Sequence, residues 1–267
     1  MEAFKMGVIQ TNEWLINLWN EPMTICELLV DYFPRFQAAE IYQHLTMYGM
    51  YQQPFKDVEK QIHTLIENDY WKTLDREAQQ LRTHWDGPNI PIFIFPSDRS
   101  NIELREVFNG KSGLSFPDKL FLFISGENST TEIKALLAHE YHHVCRLYKF
   151  NKKVEDYRLL DTIILEGMAE LAVMERFGRK YCADWTGYYS DKELEEIWEQ
   201  FILPAIHLAK AHREHEAILY GVDHYPKMAG YCVGYYLVKQ YMEKNKLSTK
   251  ELLSIPSSDI TKMIQTD

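Results

Sequence analysis

The residues His139, Glu140 and His143 have the types and the spacing of a metal-binding catalytic motif. Residues 139–143 read His-Glu-Tyr-His-His. Because His139 and His143 are four residues apart, they share one face of a helix and can bind one ion together. Glu140 is rotated by about 100° from His139, so its carboxylate can reach a water molecule at the ion without binding the ion. The spacing predicts a zinc site with Glu140 as the general base.

A catalytic zinc site also needs a third protein ligand, and the candidate is Glu166. Such sites hold zinc with three protein ligands and keep a fourth position open for water. Glu166 follows His143 after 22 residues, within an otherwise apolar helical pattern. Glu170 lies one turn later on the same face, where it would accept a hydrogen bond from a ligating histidine. In one alternative, Glu170 binds the metal and Glu166 lies outside the ligand set. In another, Glu170 is a surface carboxylate.

Three elements must position these side chains. Residues 119–125 are β-rich and precede the motif. Ser129 and Glu132 then form a capping box that opens the motif helix. A second helix fits residues 156–177 and carries the third ligand, and its Gly167 is expected to let it approach the motif helix closely.

The remainder of the chain predicts a mostly α, α+β fold. Residues 90–95 form a second β-rich segment, and residues 110–117 hold two glycines and a proline, which predict a loop or hairpin between two strands of one small sheet. Apolar residues follow a helical spacing from Phe55 to Leu81. We predict an N-terminal helical subdomain over residues 1–86 and a catalytic domain over residues 87–267.

Composition limits the classes of partner. The chain of 267 residues has 29 Lys and Arg against 39 Asp and Glu, a formal net charge of −10. This balance argues against direct binding to nucleic acid. No apolar run approaches the roughly 20 residues of a membrane span, and residues 1–21 lack the apolar core of an export signal. We therefore expect a cytoplasmic protein that binds neither nucleic acid nor membrane.

The other histidines and the cysteines do not have ligand spacing. His142 is rotated by about 100° from His143 and is predicted either to support a metal ligand by a hydrogen bond or to pack beside the site. His212 and His215 are predicted to share a solvated helix face. The cysteines stand singly and predict reduced, mostly buried thiols; they are Cys26, Cys145, Cys182 and Cys232.

The motif together with Glu166 resembles the gluzincin class of metallopeptidases, which pair H-E-x-x-H with a glutamate ligand on a second helix. With the later segment Ala-Gly-Tyr-Cys-Val-Gly-Tyr at residues 229–235, the chain is similar to the YjaZ-like family of predicted zinc-dependent proteases, a domain family of unknown function. The resemblance covers about residues 90–245. It implies one Zn²⁺ per chain and a zincin-like core with a small sheet, the motif helix and a second ligand-bearing helix.

The resemblance also suggests a residue that stabilises the transition state. Gluzincins of the aminopeptidase type carry a Y-x-x-G whose tyrosine has this role, and residues 231–234 are similar to it. The resemblance assigns the role to Tyr231, with Tyr235 and His224 as alternates. The G-x-M-E-N signature of those exopeptidases does not occur in the sequence, so exopeptidase activity is not implied.

These observations predict a zinc-dependent hydrolase of peptide bonds that acts on peptide or protein substrates. The strand at residues 119–125 is expected to be the sheet edge that pairs with an extended peptide. The alternative is a zincin-fold regulatory or binding protein, linked to a stress response, that cleaves nothing. Glu140 distinguishes the two, because a scaffold has no need of a general base. A hydrolase of non-peptide amides is a third hypothesis, and the sequence leaves the substrate and the oligomeric state open.

Overall fold

The computed structural model describes residues 6–52 and 57–262 of the chain. Residues 1–5, which belong to the segment predicted to lack an export signal, lie outside the described residues, as do residues 263–267. Phe55, the first residue of the predicted helical pattern, also lies outside them.

The chain forms two compact units, Met1–Val144 and Cys145–Asp267. They divide the chain at a different place from the predicted domain boundary at residues 86 and 87, and that boundary stays a prediction. In the described part of both units, every helix falls short of the length or the apolar character needed to cross a bilayer.

A four-stranded mixed sheet lies in the first unit. Its strands are β1 (Gly7–Val8), β2 (Pro91–Pro96), β3 (Ser112–Ser115) and β4 (Leu120–Ile124). Their spatial order is β1-β2-β4-β3, in which β2 runs parallel to β1 and β4, whereas β3 is antiparallel to β4. β2 and β4 are apolar and buried along their whole length, as expected of parallel strands covered on both faces. The two predicted strands are therefore confirmed.

The edge of the sheet differs from the prediction. β4 lies between β2 and β3, so the expectation that residues 119–125 form the edge for an extended peptide is wrong. β3 is at the edge instead, and it forms a hairpin with β4 in the segment predicted as a loop or hairpin. Its sequence, Ser-Gly-Leu-Ser, has little β propensity of its own. The strand conformation of β3 therefore depends on pairing with β4, from Ser112 opposite Phe123 to Ser115 opposite Leu120.

Helices surround this sheet. Those before the motif are α1 (Thr11–Leu18), α2 (Pro22–Glu27), α3 (Ala38–Met47), α4 (Val58–Glu67), α5 (Tyr70–Trp85) and α6 (Ile102–Glu106). The buried Thr11 links two of them to the sheet: its hydroxyl donates to the carbonyl of Ile94 at 2.5 Å and accepts from the indole of Trp71 at 2.9 Å. These bonds satisfy the Thr11 hydroxyl and the Trp71 indole in the core.

The motif helix α7 and the later helices follow the sheet. They are α7 (Thr130–Phe150), α8 (Leu159–Phe177), α9 (Asp191–Ile197), α10 (Arg213–Tyr220), α11 (Ala229–Asn245), α12 (Thr249–Leu252) and α13 (Ser257–Thr261). The predicted helix at residues 156–177 is α8, which begins three residues later than predicted. Gly178 follows it with φ of 86°, a conformation that favours glycine after a helix.

The backbones of α8 and α11 are in close contact. A Cβ added to Gly167 would overlap the carbonyl group of Gly234, and one added to Gly234 would overlap the carbonyl group of Ile163. At Gly167 the close approach is therefore made to α11, and the expected approach to the motif helix stays a prediction. The sequence pattern shows that a glycine permits such a contact, but it does not identify the partner helix.

Candidate metal centre

The motif lies in the middle of a helix whose ends are fixed by side chains. The predicted capping box is confirmed: the backbone N–H of Ser129 donates to Glu132 at 2.8 Å, and that of Glu132 donates to the Ser129 hydroxyl at 3.3 Å. Near the other end, the buried Arg146 donates to the carbonyl groups of Leu252 and Leu253 at 3.2 and 3.0 Å. Burial lowers the pKa of Arg146 to about 10, so it stays charged at neutral pH.

The three predicted ligands come together. The ligand atoms of His139, His143 and Glu166 all lie within 4.8 Å of one another. The two imidazole rings are 4.6 Å apart at their centroids and nearly perpendicular, with an interplanar angle of 88°. His143 is buried, whereas His139 and Glu166 are half-buried. Both histidines are thus on one face of α7, as their spacing predicts, and the carboxylate comes from α8.

This donor set fits zinc. Two imidazole nitrogens and one carboxylate oxygen are ligands that catalytic zinc sites use, with a fourth position left to water. Ligand atoms about 2.1 Å from a tetrahedral ion lie about 3.4 Å from each other. The three side chains would therefore have to move only slightly closer together to bind zinc. Its chemistry, nitrogen with a single carboxylate, favours zinc over magnesium or calcium, which prefer oxygen ligands.

Glu140 lies beside the cluster and is held by strand β3. Glu140 is buried and only 8% exposed. The Ser115 hydroxyl lies 2.5 Å from Glu140 Oε2 and 2.9 Å from the Glu140 carbonyl oxygen. Two residues before Ser115, on the same face of the strand, a Cβ at Gly113 would overlap the Glu140 side chain. Sequence reasoning missed both β3 residues, because their segment was interpreted as a connection and not as a strand with alternating faces.

Glu170 is buried, at 5% exposed, so the alternative of a surface carboxylate is wrong. Its Oε2 accepts a hydrogen bond from the backbone N–H of Ala183 at 2.9 Å. Glu170 therefore holds the segment that follows α8, just before a short 3₁₀ helix at Asp184–Gly187. Its predicted hydrogen bond with a ligating histidine stays a prediction.

The candidates for transition-state stabilisation occupy different surroundings. The Tyr231 hydroxyl lies 3.4 Å from the Tyr220 hydroxyl, and its ring packs against Trp185. Tyr235 is buried in the core of the second unit, where its hydroxyl accepts from Arg179 at 3.3 Å. The imidazole of His224 is exposed and stacks close to its neighbouring tyrosine ring. The role of Tyr231 stays a prediction.

Two further histidines, His142 and His215, are buried. His142 is buried and packs edge-on against Trp85, with ring centroids 5.0 Å apart, so the prediction that it packs is confirmed. His215 is 1% exposed and its Nε2 lies 3.0 Å from the Thr162 hydroxyl, so its predicted solvated position is wrong. It lies on the same buried face of α10 as Ile218 and Leu219, a spacing that could have indicated burial.

The cysteines agree with the expectation from the sequence. All four are free thiols, and three of them are buried; the buried ones are Cys26, Cys145 and Cys232. Burial raises the pKa of Cys26 and of Cys232 to about 12, so these thiols are protonated and unreactive at neutral pH.

Comparison with known proteins supports the resemblance seen in the motif. The model of a family described as "Predicted Zn-dependent protease (DUF2268)" matches residues 70–262. "Uncharacterized protein YjaZ" of Bacillus subtilis (strain 168) is 40% identical over 261 residues, which cover 94% of this chain and 97% of that protein. "Uncharacterized protein YjfC" of the same organism is 21% identical over 195 residues, covering 69% of this chain and 63% of that protein. No solved structure matches the chain.

The extent of these matches exceeds the resemblance seen in the sequence alone. The family match begins at residue 70, at the start of α5, and ends at residue 262, within the C-terminal helices. The similarity to YjaZ extends over nearly the whole chain. The chain belongs to the DUF2268 family of predicted Zn-dependent proteases.

Proposed function

We propose that the chain is a zinc-dependent peptidase in which His139, His143 and Glu166 bind the metal and Glu140 is the general base. The observation that carries this proposal is the convergence of the three ligand atoms within 4.8 Å. Glu140 is adjacent in the chain to one ligand, and its buried position keeps it out of bulk solvent. Family membership supports a protein or peptide as the substrate.

Each residue has a separate part in the reaction. Zinc bound at this site would supply Lewis-acid chemistry, polarising the peptide carbonyl and lowering the pKa of water towards about 7. Glu140 takes the proton from the attacking water and returns it to the leaving amine. Tyr231 donates a hydrogen bond to the oxygen that becomes negatively charged in the transition state. Tyr235 fits this role less well, because its hydroxyl already donates to Met174 Sδ at 3.1 Å.

The substrate is proposed to be an extended segment that pairs with strand β3. β3 is one of the two edge strands of the sheet and carries Ser115, which contacts the proposed base. Addition of a peptide strand to a sheet edge uses main-chain hydrogen bonds and is tolerant of the peptide sequence. This arrangement would bring a scissile peptide bond alongside Glu140.

Metal content tests the ligand assignment directly. We expect close to one zinc per wild-type chain, measured by mass spectrometry on protein purified without chelator. The variant Glu166→Ala loses one of three protein ligands, so its zinc affinity should fall at least about 100-fold. Glu199→Ala, which removes an exposed carboxylate from the same unit, is the matched control and should keep its zinc. A folded wild-type protein that does not take up added zinc would refute the proposal.

A further inference from the structure

Two residues on one face of strand β3 enclose the side chain of Glu140. Residues 113 and 115 are two apart in a strand, so they point to the same side of the sheet. The Ser115 hydroxyl contacts Oε2 and the carbonyl oxygen of Glu140. At Gly113, an added Cβ would overlap Cγ, Cδ and Oε1 of the same side chain. The strand thus offers a hydrogen-bond donor at one position and free space at the other.

The hydrogen bond from Ser115 restrains the carboxylate. A hydroxyl has one proton to donate, and two oxygens of Glu140 are within its reach at 2.5 and 2.9 Å. The shorter contact is the one to the carboxylate oxygen Oε2. Donation to Oε2 fixes the rotation of the carboxylate and leaves Oε1 oriented away from the hydroxyl.

The strand that carries Ser115 is itself fixed. β3 pairs with β4 over its four residues. At its start, the Ser112 hydroxyl donates to the carbonyl oxygen of Tyr48 at 2.7 Å. A donor on an anchored strand restricts a side chain more than a donor on a mobile loop does.

We propose that Ser115 is a positioning residue for Glu140 and that Gly113 provides the space this position requires. The inference rests on the proposed function, since it gives Glu140 its role as base. A general base must lie within about 2.6–3.2 Å of the group whose proton it takes, and a displacement of about 1 Å can cost about 100-fold in rate. Glu140 has three rotatable side-chain bonds, and Ser115 selects one arrangement of them.

Kinetics of three variants test this inference. Ser115→Ala removes the hydroxyl and should lower kcat by about 10- to 100-fold while KM changes by less than about threefold. Ser115→Thr keeps a hydroxyl and should recover most of the lost kcat. Ser100→Ala is the matched control: it removes a hydroxyl that donates to the carboxylate of Asp98 at 2.6 Å and not to Glu140, so its kcat should stay near that of the wild type. Equal kcat values for the Ser115→Ala and Ser100→Ala variants would overturn the inference.

A second readout does not depend on catalysis. In crystal structures of the Ser115→Ala and Ser100→Ala variants, the Glu140 carboxylate should leave β3 or adopt more than one rotamer in the first and keep its place in the second. If Glu140 keeps its place in the Ser115→Ala variant, the inference is wrong. If the wild-type protein binds zinc but cleaves no peptide of a library while Glu140 moves as expected, the peptidase proposal fails and the positioning role of Ser115 holds.

Discussion

Glu140 is the residue on which the distinction between an enzyme and a binding protein depends. Its replacement by Gln keeps the size and still allows a hydrogen bond from Ser115, but it removes the ability to take a proton. Because general-base catalysis contributes about 10²- to 10⁴-fold, we expect the Glu140→Gln variant to lose at least about 100-fold in kcat/KM. Its zinc content should equal that of the wild type, since Glu140 is not a proposed ligand. Peptide cleavage and metal content measured on one preparation check both expectations.

The control for this variant makes the same chemical change elsewhere. Glu199→Gln neutralises an exposed carboxylate and should leave both cleavage and zinc unchanged. If the Glu140→Gln variant cleaves peptides as fast as the Glu199→Gln variant, Glu140 is not the base. The alternative of a regulatory protein with this fold would then gain support, provided that zinc is still bound.

Residues of the site could be predicted where their relative positions follow from the geometry of a single helix. His139 and His143 are one helical turn apart, so their common face follows from helix geometry, and the ring separation of 4.6 Å agrees with it. Glu166 could be proposed because a carboxylate stands out in an apolar helix. Ser115 could not be proposed, because its contact with Glu140 spans 25 positions and exists only when a weak strand forms.

At the scale of elements, the contact between α8 and α11 gives a physical reason for the glycine in the Tyr-Cys-Val-Gly segment. Gly234→Ala would place a methyl group against the backbone carbonyl of Ile163, and backbone cannot move aside as a side chain can. Overpacking of this kind costs about 1–3 kcal/mol. We expect a loss of about 2 kcal/mol in the free energy of unfolding, measured by urea denaturation.

A turn glycine offers the matched control. At Gly126, an added Cβ would meet the Thr64 side chain at 3.0 Å, and that side chain can rotate. Gly126→Ala should therefore lower the unfolding free energy by less than the Gly234→Ala variant does. If the order is reversed, the helix pair tolerates the methyl group and the packing argument is wrong.

The elements themselves were predictable to different degrees. β2, β4, α7 and α8 carry strong local signals, namely continuous apolar runs, a capping box and a helical apolar period. Local patterns do not state which element lies next to which. For this reason the sequence pattern predicts an edge position for β4, which the pairing of β3 contradicts, and it gives no sign of the contact between Gly167 and Gly234 of α11.

For the whole molecule, several titratable groups act in the same direction when the pH falls. Burial lowers the pKa of His44 and of His215 below the ordinary value of 6.5. The unfolded chain therefore binds protons at these histidines before the folded chain does, and stability is lost as the pH falls below about 6.5.

Three capping-box glutamates add to this loss at lower pH. Hydrogen bonds from Ser190 and Ser248 lower the pKa of Glu193 and Glu251. At Glu132 burial alone would raise the pKa, but the hydrogen bonds from Ser129 and Asn109 and the charge of Lys111 together lower it. Each contribution is present above pH 4.5 and is lost as the pH falls through the folded-state pKa. The free energy of unfolding should therefore decrease in two successive pH ranges as the pH falls. The first range, below about 6.5, belongs to the buried histidines, and the second, below the ordinary glutamate pKa of 4.5, belongs to the capping-box glutamates.

The variant His215→Gln separates the first range from the second. It keeps a polar side chain that can bond to Thr162 but removes the titrating ring, so the decrease in melting temperature between pH 7.5 and 5.5 should become smaller. A single site contributes at most about 1.4 kcal/mol per pH unit, which is measurable by thermal unfolding. His63→Gln makes the same change at an exposed histidine on α4 and is the control, which should show the wild-type decrease. Equal pH dependence in both variants would mean that the buried position of His215 does not govern stability in this range, and that acid sensitivity begins elsewhere in the fold.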